Sequence, residues 1–379
     1  MIFIMLYIIS QQRITLNYLL NKGNFKMKAS IIVSISNSNK ILLENFLSNL
    51  SKCENINEYE LILVNDDSDF VFNEKYVHNF NIKNVKVINV SPRKGYGIVN
   101  NLAIEYANSE IIIFMNDDVL PTANCLEILI NDLKCNKCDA VQPKLIYPQT
   151  NTIQSTGHVF TNYTNSHAFE NQSINSNVIY SDYRTALTTA LCATRKDLFL
   201  KMGKFDPIYI NAWEGMEYTL KLTTNGYKCY FDSNAEAYHI RGGTRSLFKL
   251  DETCQSAIFW SRWHNLITPD LHNFIVKQLD VSELNKNYIV LNFSKLVNEK
   301  EFLSKCKINV KEIISYSYNS GEPSIDFLKY LPTSLCSVDN NIIYLSNNFT
   351  QVIKNSLWFE LRKSNQDLII DLCGNIIRV

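Results

Sequence analysis

Residues 111–121 read Ile-Ile-Ile-Phe-Met-Asn-Asp-Asp-Val-Leu-Pro, and no other stretch narrows the choice of fold as much. Ile111 to Met115 run without a polar interruption. A continuous apolar run rich in β-branched residues is the pattern of a strand covered on both faces, as in a parallel sheet. The run breaks into Asn116, Asp117 and Asp118, and Pro121 is expected to stop any regular extension. In an open α/β sheet, ligands bind in the crevice beyond the carboxyl ends of the strands. Carboxylates delivered there can hold a divalent cation against phosphate oxygens. A solvated acidic turn has the same composition, so the flanking sequence has to decide.

That sequence repeats a strand–helix rhythm. Ser30–Ile35 predicts a buried strand, and Lys40–Leu50 carries Ile41, Leu42, Phe46, Leu47 and Leu50 at helical spacing. Glu60–Val64 predicts a second strand, ending in Asn65-Asp66-Asp67-Ser68-Asp69. Val85–Val90 predicts a third, followed by Arg93-Lys94-Gly95-Tyr96-Gly97 and a helix over Ile98–Ala107. Strands alternating with helices imply a mostly parallel sheet with right-handed crossovers. The acidic clusters at Asp66 and Asp118 then share one sheet edge, where they repel unless a cation or hydrogen-bond donors lie between them. The Gly-Tyr-Gly turn lacks the third glycine of a dinucleotide fingerprint, and no Gly-Lys-Ser/Thr triplet marks a P-loop.

These segments, in this order, resemble a family 2 glycosyltransferase with the GT-A fold. The likeness rests on Ala29-Ser30-Ile31-Ile32-Val33, Val64-Asn65-Asp66-Asp67-Ser68, Gly95-Tyr96-Gly97-Ile98-Val99-Asn100-Asn101 and Asn116-Asp117-Asp118. It continues through Thr189–Arg195 and Met202-Gly203-Lys204-Phe205-Asp206, and covers about residues 28–265. The resemblance implies a GT-A-type, Rossmann-like α/β domain over residues 27–270 that binds a nucleotide-sugar donor. Asp66 would accept the base N3–H, which suits uracil or thymine. Asn116 would lie near the ribose, with Ser34, Gly95, Asn101 and Asp117 completing the nucleotide cradle. Asp118 would coordinate Mg²⁺ or Mn²⁺, and His239 would complete the metal site. Arg241 and Arg245, flanking Gly242-Gly243, would close over the diphosphate.

The acceptor hydroxyl needs a carboxylate base. The family draws it from an acidic pair at the start of a helix. Here the stretch reads Trp213-Glu214-Gly215-Met216-Glu217, with Gly215 at the position usually assigned as base. Glu214 or Glu217 would have to take over, and Glu214 is favoured. Otherwise the protein binds a nucleotide-sugar without turning it over. Both glutamates would also complement a helix dipole in a purely structural role.

Other stretches bound the reading. Lys+Arg and Asp+Glu are equal at 37 each, which argues against a broad nucleic-acid footprint. Ten cysteines at irregular spacing read as reduced cytosolic thiols, and Cys135–Cys138 is a lone CxxC with no second pair to complete a zinc site. Residues 1–26 are expected to be an extension outside the fold; a weak membrane-surface anchor is the alternative, because Met1–Ile9 is apolar but too short to span a bilayer. Residues 140–188 carry loop signals, with His158 and His167 expected at the surface. Tyr227–Asp232 predicts a strand, and Phe259–Trp263 lies on an amphipathic helix expected to pack against the domain. Residues 280–379 predict a small α/β appendage, with acceptor recognition or homo-oligomer formation as its default roles. A glycan or glycoconjugate is the expected acceptor, and the cytoplasm the expected location.

Overall fold

The computed structural model describes residues 27–36, 40–210, 212–240, 249–315, 341–353 and 366–379. The expected extension over residues 1–26 lies outside these, as do Arg241 and Arg245.

Four parallel strands form one half of the large sheet: β1 Ser30–Ile35, β2 Glu60–Asp66, β3 Val85–Val90 and β4 Ile111–Asn116, in the order β4-β1-β2-β3, with β3 at the edge. Their continuous apolar runs reflect burial on both sides. Ile31 and Val33 face Leu43, Phe46, Leu47 and Leu50 of the Lys40–Leu50 helix. Ile32, Ile112 and Phe114 face the opposite layer with Val99, Phe199 and Tyr218. Each such buried side chain contributes about 1.5–3 kcal/mol.

Beyond β4 the chain departs from simple alternation. Val119–Pro121 forms a short strand, β5, and Pro121 ends it. Residues 140–188 are loop-rich, as expected, but they also carry five strands. These are β6 Ala140–Tyr147, β7 Thr152–Ser155, β8 His158–Phe160, β9 Asn165–His167 and β10 Asp182–Tyr183. β11 Leu191–Arg195 runs antiparallel between β4 and β6, and β12 Cys229–His239 lies parallel to β6. Pro143 is tolerated inside β6 because the register jumps there: it opposes Asp232, while Lys144 opposes Glu236. A bulge is where a residue without an N–H fits a sheet. His158 is buried rather than at the surface, and His167 is half-buried: they face each other across the β8–β9 pair, with ring centroids 4.7 Å apart.

The C-terminal part forms its own sheet. β13 Asn287–Asn292, β14 Asn309–Ser315, β15 Asn341–Ser346, β16 Leu368–Asp371 and β17 Ile376–Arg378 take the order β14-β13-β15-β16-β17. Only β17 is antiparallel. Three of these strands and the turn into β17 were expected from the sequence; β14 was not, because only Val310, Ile313 and Ile314 of its seven residues are apolar. Among the described residues, no helix is long and apolar enough to cross a membrane.

Candidate active site at the strand ends

Parallel register aligns the expected residues along one edge. Ser34 on β1 is level with Asn116 on β4 and with Val64 on β2. With strands about 4.8 Å apart, β2 and β4 deliver their terminal polar residues about 10 Å from each other. The main-chain N–H of Asn116 donates to the Ala190 carbonyl at 2.8 Å, which ties this edge to the segment before β11. Asp117 occupies the turn from β4 into β5.

Asp66 is 1% exposed, and its two oxygens are engaged separately. Oδ1 accepts from the Lys94 N–H at 2.8 Å and Oδ2 from the Gly95 N–H at 2.9 Å. Gly95 has φ 89°, a left-handed conformation that costs glycine little, and it leads into the Tyr96–Ala103 helix. Asp66 therefore pins the β3–helix turn to the end of β2. A carboxylate offers about four lone-pair sites, so two remain for another donor. Farther along that helix, the Asn101 amide is occupied at both ends. Nδ2 donates to the Phe205 carbonyl at 2.8 Å, and Oδ1 accepts the Phe205 N–H at 3.1 Å.

Asp118 and His239 meet because β5 pairs antiparallel with β12. His239 opposes Val119, and the Ile240 N–H donates to the Asp118 carbonyl at 3.0 Å. His239 Nε2 lies 3.1 Å from Asp118 Oδ1. On the other side of the ring, Nδ1 lies 2.5 Å from Gln154 Oε1, while Gln154 Nε2 donates to the His239 carbonyl at 3.2 Å. An amide oxygen only accepts, so Nδ1 carries the proton, and in a neutral ring Nε2 presents a lone pair. A lone pair facing a carboxylate at this distance calls for a second proton or a cation between them. One carboxylate oxygen and one imidazole nitrogen fit Mn²⁺ or Mg²⁺, with further positions left to phosphate oxygens and water. Among the described residues, no group of three or more His, Cys, Asp and Glu side chains is placed to hold a metal ion. The Cys135–Cys138 pair accordingly has no further ligands there, and Cys138 is buried.

The two glutamates diverge in their surroundings. Both lie in the first turn of the Glu214–Thr224 helix, entered through Trp213 at φ 74°. Glu217, 1% exposed, is ringed by donors. Its Oε1 accepts from Trp263 Nε1 at 3.1 Å, Arg262 Nη1 at 3.2 Å and the Tyr209 hydroxyl at 3.3 Å. Lys221 Nζ lies 3.1 Å from Oε2. Arg262 also donates to Asp206 at 2.8 Å, so Glu217 anchors the Lys249–Trp263 helix to the domain. Phe259 completes that anchor, with its ring centroid 4.9 Å from that of Trp213. Glu214 instead faces the start of the Tyr96–Ala103 helix. A Cβ built on Gly97 would lie 3.9 Å from the Glu214 Cβ. Burial, with the Glu214 charge adding to it, pushes the Tyr96 phenol well above its ordinary pKa.

Gly215 has no room for a side chain. A Cβ there would stand 1.9 Å from Thr189 Oγ1 and 2.8 Å from both Thr189 Cβ and Cγ2. Thr189 fills the space that an aspartate at position 215 would need. Neither Thr189 nor Gln154 was legible as a site residue. Gln154 reaches His239 through the pairing of β7 and β12 with β6, and Thr189, in the turn before β11, meets Gly215 through the docking of the Glu214–Thr224 helix; neither contact leaves a periodic signal in the sequence.

Residues 30–189 match the family model described as Glycosyl transferase family 2, and this part of the chain is a glycosyltransferase family 2 domain. Its curled, helix-flanked sheet is of the GT-A type. Similar solved structures include GalNAc-T7 with UDP, GalNAc and Mn²⁺, at 15% identity and TM-score 0.49, over 74% of this chain and 55% of that one. TarS of S. aureus is 19% identical with TM-score 0.43, over 68% and 47%. The mannosyltransferase PcManGT from Pyrobaculum calidifontis, in complex with GDP-Man and Mn²⁺, is 15% identical with TM-score 0.44, over 61% and 64%. The chain thus spans about half the length of the first two. No curated protein matches the sequence.

Proposed function

We propose that this chain is a metal-dependent, inverting glycosyltransferase that moves a sugar from a UDP- or dTDP-sugar to a hydroxyl of a glycan or other acceptor. The observation that carries this reading is the 3.1 Å approach of Asp118 Oδ1 to His239 Nε2, in a ring whose other nitrogen is held by Gln154. Asp118 and His239 would hold the cation, Mg²⁺ or Mn²⁺. When bound, such an ion offsets the charge building on the departing diphosphate. Asp66 would take the base N3–H on the lone pairs it does not spend on Lys94 and Gly95, and Asn116 would approach the ribose. Glu214 would accept the proton of the attacking hydroxyl, since Glu217 is committed to Arg262, Trp263, Tyr209 and Lys221. Residues 27–270 would form the transferase domain, and residues 280–379 would serve acceptor recognition or self-association.

Diphosphate release measured across UDP-, dTDP- and GDP-sugars, with Mn²⁺, with Mg²⁺ and with EDTA, tests the reading. Release with a uridine or thymidine donor and a divalent ion, lost in EDTA, is expected. Asp118→Ala should weaken Mn²⁺-dependent donor binding at least tenfold; unchanged calorimetric binding would remove the site. Gln154→Ala should weaken Mn²⁺ affinity by about 10–100-fold, because the imidazole loses the partner that sets its tautomer and orientation. An Mn²⁺ titration followed by electron paramagnetic resonance reads this without any turnover.

A second reading is a nucleotide-sugar-binding protein without turnover. The packing of Thr189 against Gly215 favours it, since the usual base position is closed. Donor binding with no diphosphate release against any acceptor tested would select this reading.

A further inference from the structure

A cavity of about 880 Å³ lies beside β10, at the edge of the large sheet, and reaches the segment that leads into β14. Its walls come from the segment around β10, the last turns of the Glu214–Thr224 helix, the Leu271–Val276 helix, and Lys305 and Lys307 at the entrance to β14. None of Asp66, Asp118, His239, Glu214 and Glu217 lines it. Thr224, on its rim, is ten residues beyond Glu214, about 15 Å along the same helix. The space is therefore separate from the strand-end site, and its size is that of a small-molecule site.

Arg184 supplies the chemistry. It is 6% exposed and rigidly held. Its stem passes over Gly157, where an added Cβ would meet Arg184 Cγ at 2.6 Å. Its guanidinium lies 5.2 Å from the centroid of Phe231 and 5.1 Å from that of Phe274. Nε donates to the Thr156 carbonyl at 2.8 Å and Nη1 to the Tyr183 carbonyl at 3.0 Å. Nη2 makes no hydrogen bond to the described residues and is not among the sealed polar atoms, so it is the donor open to the cavity that Arg184 lines. Burial lowers the Arg184 pKa to about 10, against the opposing charges of Asp182 and Asp270. The group stays cationic at neutral pH, and its charge is only partly solvated.

The charged groups lining the cavity, Arg184 included, leave a positive balance. Arg184, Lys277, Lys305 and Lys307 stand against Asp182 and Asp270, four cations to two carboxylates. Asp182 is taken by Lys277 at 2.8 Å and approached by Arg184 at 3.6 Å. Asp270 accepts from the Phe160 N–H at 2.7 Å and the Thr185 hydroxyl at 2.6 Å. Lys305 is paired with Glu301 at 2.7 Å, whereas Lys307 has no ion pair among the described residues. Burial and neighbouring Lys305 hold His272 below its ordinary pKa, so it is neutral at pH 7. Tyr180, Phe169 and Val178 give the cavity an apolar, partly aromatic wall.

We propose that this cavity binds an organic phosphate monoester with an apolar or aromatic body, its phosphate held by Arg184 Nη2 and Lys307. A dianion satisfies an open guanidinium donor and an unpaired ammonium together, and charge-assisted contacts of this kind are about twice as strong as neutral ones. The body rests on the aromatic wall.

The test is isothermal titration of the full chain with phenyl phosphate, using phenol as the neutral analogue. One saturable site for phenyl phosphate, binding at least about tenfold tighter than phenol, is expected. Lys307→Gln should weaken it about tenfold, and Thr224→Trp should abolish it by filling the mouth. Asn273→Trp fills the same space from the Leu271–Val276 helix if the first tryptophan impairs folding, as judged by circular dichroism. Asp118→Ala should leave phenyl phosphate affinity unchanged. The proposal is overturned if no saturation appears, if phenol binds equally well, or if the folded cavity-filling variants retain full affinity. Loss of binding in Asp118→Ala would also overturn it, by assigning the phosphate to the strand-end site. Because the readout is calorimetric and independent of sugar transfer, failure of the transferase reading leaves this result interpretable.

Discussion

Replacing Glu214 with glutamine is expected to slow sugar transfer by about 10²–10⁴-fold, the usual contribution of a positioned general base. The change keeps the shape of the side chain while removing its charge and its capacity to take a proton. Its melting temperature should stay close to that of the parent chain. Glu217→Gln should behave in the opposite way. Three donors converge on Glu217 Oε1 and Lys221 lies 3.1 Å from Oε2, all in a residue 1% exposed. Neutralising it weakens bonds to Arg262 and Trp263 and costs about 1–3 kcal/mol of stability. Rates and urea midpoints measured on both variants separate the two residues. A Glu214→Gln enzyme that keeps its rate, with a Glu217→Gln enzyme that is folded but inert, would reverse the assignment.

The second large effect is expected at Gly215. Installing aspartate there restores the acidic residue that the family resemblance implies, yet it should destabilise this chain by about 1–3 kcal/mol or more through overpacking. The cause is local and specific: the new Cβ would come within 1.9 Å of Thr189 Oγ1. Thr189 cannot simply swing away, because it is 6% exposed and its carbonyl accepts the Tyr96 hydroxyl at 3.0 Å. Thr189→Gly removes all three clashing atoms. The double variant Thr189→Gly/Gly215→Asp should therefore recover stability relative to the sum of the single changes. A double-mutant cycle in urea, with a coupling of at least about 1 kcal/mol, is the expected signature of contacting residues. Additive effects would mean that the two positions do not share this space.

Much of the central sheet was readable in advance because its signals are local. Ile31, Ile32 and Val33, or Ile111 to Phe114, are apolar without alternation since both faces of their strands are covered. The acidic breaks after β2 and β4 fall at strand ends, where the parallel register brings them to one edge. The stretch after Leu120 was less legible. Pro121 does end its three-residue strand, but Pro143, an equally ordinary stop signal, sits inside β6 beside a register jump that spares its missing N–H. The burial of His158 was not legible, because nothing in a polar segment shows that it will face His167 across a hairpin.

What the linear order of residues determined by itself is the parallel core, the carboxylates at its edge and the glycine where an acidic base is expected, because each is a matter of periodicity or of residue type at a strand or helix end. Only the tertiary structure decided that Gln154 orients His239, that Glu217 is locked by Arg262 and Trp263, and that Thr189 occupies the space beside Gly215. Those pairings join residues about 26 to 85 positions apart, set by strand register and helix docking that arise from the packing of the whole sheet.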